Sequence, residues 1–400
     1  MTNFSMGTFR ANVQLCCATI SLAVLPAVSS AQTGGGFSGS WQLYSVASGQ
    51  NLAVYATAAA CIQATATQPS GTLSCKPVYG SSAPEPSTVA HPGLQVDPST
   101  LPLGSSGSAS DRVRATSEIA PPTPIGAFRT VCAFSHMAYD DPIVYPDQPG
   151  AAHLHTFFGN TGTNAASTAE SIRNTGNSTC RGGTINRSAY WVPTMVDTAT
   201  RRAIAPAHAS IYYKKGYALN PPSIIKAVPA GLRMIAGNAL NAAPGAAATR
   251  FKCIGGPNDS NDQYGSAIPN CDAGAQVIQE IFFPQCWDGR NLDSPDHKSH
   301  MSYPVRQAQW PYLSTCPSSH PVAIAEIVFN IAYTVPVRDA AKNWRLSSDV
   351  YDRSRPGGYS SHGDWFNGWK KDISDTWNAR CIQGSRECHS HLLGDGRMMY

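Results

Sequence analysis

From about residue 126 onward, apolar and polar positions alternate with a period of two over short runs. Nowhere does the chain sustain the three-to-four spacing of an amphipathic helix. The runs 127–134, 153–158, 190–196, 209–214, 231–237, 276–283 and 323–333 are rich in aromatic and β-branched residues. Most are bounded by Gly, Pro or Asn, and this predicts strands. Helices are predicted only at 168–174 and 372–380. The chain has no internal repeat and no regular strand–helix–strand alternation. The pattern therefore predicts a mainly β protein: an antiparallel β-sandwich or jelly-roll-like domain with long loops and few short helices.

The N-terminal quarter reads differently. Residues 1–31 carry Arg10, an apolar run over 13–28 and the small residues Ser29-Ser30-Ala31, the make-up of a secretory signal cleaved after Ala31. That run is too short for a membrane span, and no later segment is a candidate. Segment 32–79 contains the alternating stretches WQLYSVA and NLAVYATA and reads as a small strand-rich unit. Segment 80–125 is rich in Ser, Pro, Gly and Ala and reads as a linker. The main β-rich domain is expected over 126–400. The expected location is secreted or periplasmic.

Composition supports export. Charged residues make up 14% of the chain, and the net charge of +4 is small for 400 residues, so nucleic acid is not an expected partner. Setting aside Cys16 and Cys17 leaves ten of the 12 cysteines, with no C-x-x-C pair, which favours disulfide staples over metal thiolates. Cys61 with Cys75, Cys253 with Cys271, and Cys381 with Cys388 are the expected local pairs.

Candidate chemistry lies in histidine-rich segments. In a strand, His153, His155 and Phe157 of HLHTF would share one face, a ligand-like spacing for a divalent metal. Upstream, FSHMAYDDP holds His136, Asp140 and Asp141, and Asp141 before Pro142 also suits a turn. Between Cys286 and Pro304 come Trp287, Asp288, Asp296, His297, Lys298 and His300. The run SSHGDWFNGW supplies His362, Asp364, Trp365, Asn367 and Trp369. These segments suggest a single cleft. In it, His153, His155, Asp288, His297, His300, His362 and Asp364 are the catalytic candidates. Trp287, Lys298, Trp365, Asn367 and Trp369 are the substrate-binding candidates, with aromatic faces for sugar rings and polar groups for hydroxyls. His153, His155 and His300 are the candidate ligands of a metal. His389 and His391, near the C-terminus, are set below the others.

In this order, CAFSHMAYDDPIVYPDQPGAAHLHTFFGN, STCRGGTINRSAYWVPTM, GLRMIAGNA, CWDGRNLDSPDHKSHMSYP, CPSSHPVAIAEI and SSHGDWFNGW resemble the secreted DUF1996 family over about residues 126–385. The resemblance implies export and an extracellular polysaccharide context. It supplies no catalytic residues. The expectation is an exported protein acting on polysaccharide as a hydrolase or lyase. Hydrolysis would set Asp288 and Asp364 either side of the bond. Lyase chemistry would use a His or Lys base beside a neutralised uronate. A non-catalytic module binding cell-wall glycan and an exported metal-binding protein are the alternatives.

Overall fold

A computed structural model describes residues 92–216, 224–245, 248–256, 263–306 and 314–400, and the backbone of three further strands. Those three, Trp41–Ser45, Asn51–Tyr55 and Leu73–Pro77, form an antiparallel sheet within a separate unit that ends at Ser87. Two of them fall on the alternating stretches named above. The signal segment 1–31 and the Cys61/Cys75 pair lie outside the described residues.

The second unit is an antiparallel β-sandwich, as the alternation predicts. Its ten principal strands are β1 (Ala127–Cys132), β2 (Phe134–Ala138), β3 (His155–Gly159), β4 (Ala189–Pro193), β5 (His208–Lys214), β6 (Arg233–Gly237), β7 (Thr249–Ile254), β8 (Gln276–Phe282), β9 (Glu326–Thr334) and β10 (His362–Phe366). One sheet runs β7-β8-β9-β5-β1 and the other β6-β10-β4-β3-β2. The predicted strand 127–134 is two strands. Each belongs to a different sheet, and the chain changes layer at Ala133. The short helices α1 (Ala169–Asn174) and α2 (Lys371–Trp377) match the two predicted ones.

The inner faces meet in one core. Phe128, Ile211, Tyr213, Ile281 and Phe329 of the first sheet pack with Phe158, Tyr190, Val192, Met234 and Trp365 of the second. Tyr190 meets Phe329 edge-on at 5.6 Å between ring centroids. Gly363 of β10 faces the opposite layer closely: a Cβ there would lie 2.9 Å from Ile281 Cδ1. Gly363→Val is therefore expected to overpack the core and cost about 1–3 kcal/mol. A lowered urea midpoint with an unchanged slope is the expected reading. An unchanged midpoint would mean the layers part freely there.

Four disulfides staple this unit: Cys132–Cys180, Cys253–Cys271, Cys286–Cys316 and Cys381–Cys388. The second and fourth are the expected local pairs. The other two join cysteines 48 and 30 residues apart, beyond what spacing reveals. From Pro92 on, the stretch read as a linker is part of this unit. Leu94 and Val96 are buried against Leu154 and Val196, and Val113–Ala115 pairs with Arg397–Met399. Its low-complexity composition conceals these few apolar anchors. Among the described residues, no helix is long and apolar enough to cross a membrane.

Candidate metal centre

The outer face of the β6-β10-β4-β3-β2 sheet is covered, and the cover makes a site. Side chains alternate along β10, so Trp365 points into the sandwich while His362, Asp364 and Phe366 point outward. On β3, Phe158 points inward while His155 and Phe157 point outward. The loop after β2 folds back over this face and inserts Ile143 among Phe157, Trp191, Phe366 and Ile172 of α1. Asp141 holds the loop's turn, its Oδ1 accepting the amides of Ile143 and Val144 at 2.9 Å each.

Under this cover lie His153, His155, His362, Asp141 and Asp364. The ligand-type atoms of His153, His155 and His362 all lie within 4.8 Å of one another. Those of Asp141, His155 and Asp364 do so as well. His155 belongs to both triads and is 0% exposed; Asp364 is 1% exposed, and His362 and Asp141 are 4% exposed each. His153 alone is partly exposed, so it is the solvent-side member.

The backbone sets the imidazole tautomers. His155 Nδ1 lies 2.9 Å from the Asp140 carbonyl, and His362 Nδ1 lies 2.8 Å from the Ser360 carbonyl. A carbonyl only accepts, so each Nδ1 carries the proton and each Nε2 presents a lone pair to the cluster. Ser360 is itself fixed by the fully buried Asp349, whose Oδ1 accepts the Ser360 hydroxyl at 2.6 Å. Leu154 locks the segment carrying His153 and His155: its carbonyl accepts the Ser347 hydroxyl at 2.6 Å and the Thr194 amide at 2.9 Å. His153 lies before β3, not on it, yet its ring centroid is 4.2 Å from that of His155. His153 Nε2 is 3.2 Å from His362 Nε2. Two nitrogens bound at roughly 2.1 Å to one ion stand about 3.0–3.4 Å apart.

Several buried side-chain polar atoms of the described residues have no hydrogen-bond partner, and two of them, His155 Nε2 and Asp364 Oδ2, lie in this cluster. Both belong to the same triad. Buried polar atoms are normally satisfied, and an orphaned pair in one cluster is a costly exception. Electrostatics agrees. Burial lowers the His155 imidazole to about 3, with the charge of His362 adding to the effect. Burial lowers His362 to about 4 against the pull of the Ser360 carbonyl, and His153 is also held well below its usual range, first by burial. The carboxyl groups move the other way. Burial and then the charge of Asp141 push Asp364 well above the usual range, and burial raises Asp141. Neutral imidazoles beside carboxyl groups whose ionisation is disfavoured by burial form a donor set that a cation would suit.

The remaining candidates are placed elsewhere. His300 is buried, but Ser294 Oγ holds its Nδ1 at 2.9 Å and the Arg233 carbonyl holds its Nε2 at 2.7 Å. With both nitrogens committed to loop structure, it is not the expected metal ligand. His297 Nδ1 lies 2.9 Å from Asp293, which also pairs with Arg233. Asp288 Oδ1 accepts the amides of Arg290 and Asn291, so its carboxylate caps its own exposed turn. Asp288 and Asp364 therefore do not form the expected pair across a bond, since Asp364 is sealed under the loop. Trp365 and Trp369 are fully buried core residues, and Trp369 Nε1 donates to the Tyr213 hydroxyl. They offer no face to a sugar. Asn367 is buried and donates to the Pro229 carbonyl, and Trp287 Nε1 donates to the Asn291 carbonyl. Lys298 donates to the Gly237 carbonyl at 3.2 Å, beside the cluster.

Asp141 is the member that sequence reading placed only as a turn residue or site candidate. It serves in the turn and in the cluster at once. The Asp140 and Ser360 carbonyls carry no sequence signal, because any residue supplies a carbonyl.

A family model described as a domain of unknown function (DUF1996) matches residues 141–369, a span that begins at Asp141 and takes in the whole cluster. No curated protein and no solved structure matches the chain. The family match covers more than half of the chain, within the region of the six resembling motifs, and the chain belongs to the DUF1996 family.

Proposed function

We propose that this protein is an exported metal-dependent enzyme, with His153, His155 and His362 binding a divalent first-row ion and Asp364 and Asp141 supplying carboxylates to it. The observation that carries the reading is the orphaned pair, His155 Nε2 and Asp364 Oδ2, buried together in one triad. A divalent ion would satisfy both atoms. It would also balance the two carboxylate charges. Imidazole with carboxylate suits zinc, iron, copper or nickel over magnesium or calcium.

Such an ion supplies Lewis acidity and an acidified water. The chain's own residues do the rest. His155 and His362 are fixed by carbonyls, the loop over 139–152 excludes bulk water, and His153 stands at the solvent side. The hydrolytic expectation built on Asp288 with Asp364 has no support in this arrangement. The acid–base expectation keeps its histidines and gains Lys298 nearby. Four disulfides and the family resemblance favour an oxidising, extracellular setting.

Elemental analysis of natively purified, unchelated protein is expected to find about one equivalent of a divalent transition ion, with proton release when it is restored after chelation. No uptake of zinc, iron, copper, nickel or manganese by the chelated protein would overturn the reading.

A further inference from the structure

A hollow of about 350 Å³ opens on the same sheet face as the cluster. Ile235, Ala248, Pro284, Met301 and Tyr303 form its apolar walls, and among the described residues Lys298 is the one charged residue that lines it. Its position follows from strand register. On β6, Ile235 is the cross-strand partner of Asp364, and Gly237 is the partner of His362. Directly opposed residues keep their Cβ positions about 5 Å apart, so the floor of the hollow and the cluster are neighbours. Gly237 permits this closeness. Its φ is +83°, and a Cβ there would lie 2.4 Å from the Ser361 carbonyl oxygen.

Lys298 stands between the two. Its ammonium donates to the Gly237 carbonyl, and its charge reaches both His362 and Asp364. Among the described residues, no carboxylate lies within ion-pair distance of it. One donor bond to a carbonyl leaves two ammonium hydrogens for a ligand. Tyr303 is 45% exposed and its hydroxyl already donates to the Phe282 carbonyl, so it offers a ring face and little polarity. An apolar wall with a single cation on the side facing the Gly237 carbonyl complements a molecule with an apolar body and one anionic head.

We propose that this hollow binds the carboxylate of the substrate, seating its apolar or aromatic body against Tyr303, Met301 and Ile235 and its carboxylate on Lys298, next to the metal centre. The inference rests on the metal reading only for its catalytic consequence; the binding itself needs only the hollow and Lys298. A carboxylate held there has its charge offset by Lys298 and is the end of the molecule nearest the cluster. A uronic acid, whose hydroxyls need several polar partners, fits these walls less well.

The test uses the full secreted chain, metal-loaded and chelated, with benzoate, benzamide and glucuronate as probes in calorimetric titrations. Benzoate is expected to bind wild-type protein and to weaken about tenfold or more in Lys298→Met, the scale of a lost charge-assisted bond. Lys298→Arg should retain most of the affinity, and benzamide should bind both wild type and Lys298→Met weakly and alike. Equal benzoate affinity in wild type and Lys298→Met, or tighter binding of glucuronate than of benzoate, would overturn the proposal. Metal content measured on the same samples separates the two readings. Metal uptake without benzoate binding sinks the hollow alone, and benzoate binding without metal uptake sinks the metal centre alone.

Discussion

Replacing His155 with alanine is expected to empty the metal centre, taking bound ion from about one equivalent to below about a tenth of one. His155 has this weight because it is common to both triads, whereas His153 and His362 belong to one and Asp141 and Asp364 to the other. Its Nε2 has no other partner, so nothing else in the fold depends on that atom. In chelated protein the cost should therefore be that of lost packing and of the Nδ1 bond to Asp140, about 1–3 kcal/mol. With metal present the gap to wild type should widen, because only the wild type gains the binding energy. His300→Ala is the control. It severs loop bonds to Ser294 and Arg233 and leaves every ligand in place. Wild-type metal content in His155→Ala, measured by elemental analysis, would refute the centre.

The second expected result concerns pH. His155 and His362 have folded values of about 3 and about 4, below the ordinary 6.5. As pH falls below 6.5, the unfolded chain takes up their protons first. Stability is then lost down to those folded values, by roughly 1.4 kcal/mol per unit for each histidine. Asp364 and Asp141 run the opposite way. Their folded values are raised, so their contribution is present below 3.8 and is lost as pH rises through the folded values. A bound cation removes that second loss by stabilising the carboxylates, while the folded histidines, already neutral above about pH 4, stay available to it throughout. The difference in Tm between metal-loaded and chelated protein should therefore grow from pH 5 to pH 8. Asp364→Asn, chelated, should melt above chelated wild type at pH 8 and take up no metal. A pH-independent difference in Tm would contradict this account.

The architecture was legible wherever a strand has one wet face. β5 reads HASIYYK and β6 reads RMIAG, and burial alternates along both, so the period of two shows in the letters. It was legible too in β3 and β4, buried at all five positions but rich in aromatic and β-branched residues, and illegible in β10. β10 reads HGDWF and is buried at all five positions, so its sequence lacks alternation and looks like a loop between glycines. The consequence for the site was direct. Read as a loop, SSHGDWFNGW puts Asp364 and Trp365 into one polar patch. As a strand, it sends Asp364 out to the histidines and Trp365 into the sandwich core.

The histidine segments themselves were legible as chemistry, and His153, His155, His362 and Asp364 do converge. What composition could not sort was His300 and Asp288 from the rest. They share the same polar density, but each is satisfied by neighbours within its own loop or by a β6 carbonyl. A hydrogen-bond inventory of that kind depends on where loops fold, and side-chain identity does not encode it.

By itself, then, the sequence determined the β-rich class, the two short-range disulfides, the family and the short list of imidazoles and carboxylates. Those are local quantities: periodicity, cysteine spacing and residue type. Tertiary structure alone decided which of the candidates meet. His153 and His362 are 209 residues apart and touch through their Nε2 atoms, and Lys298 joins them through the Gly237 carbonyl. Sheet order and register set these meetings, and both arise from burying one sheet face against the other across the whole unit.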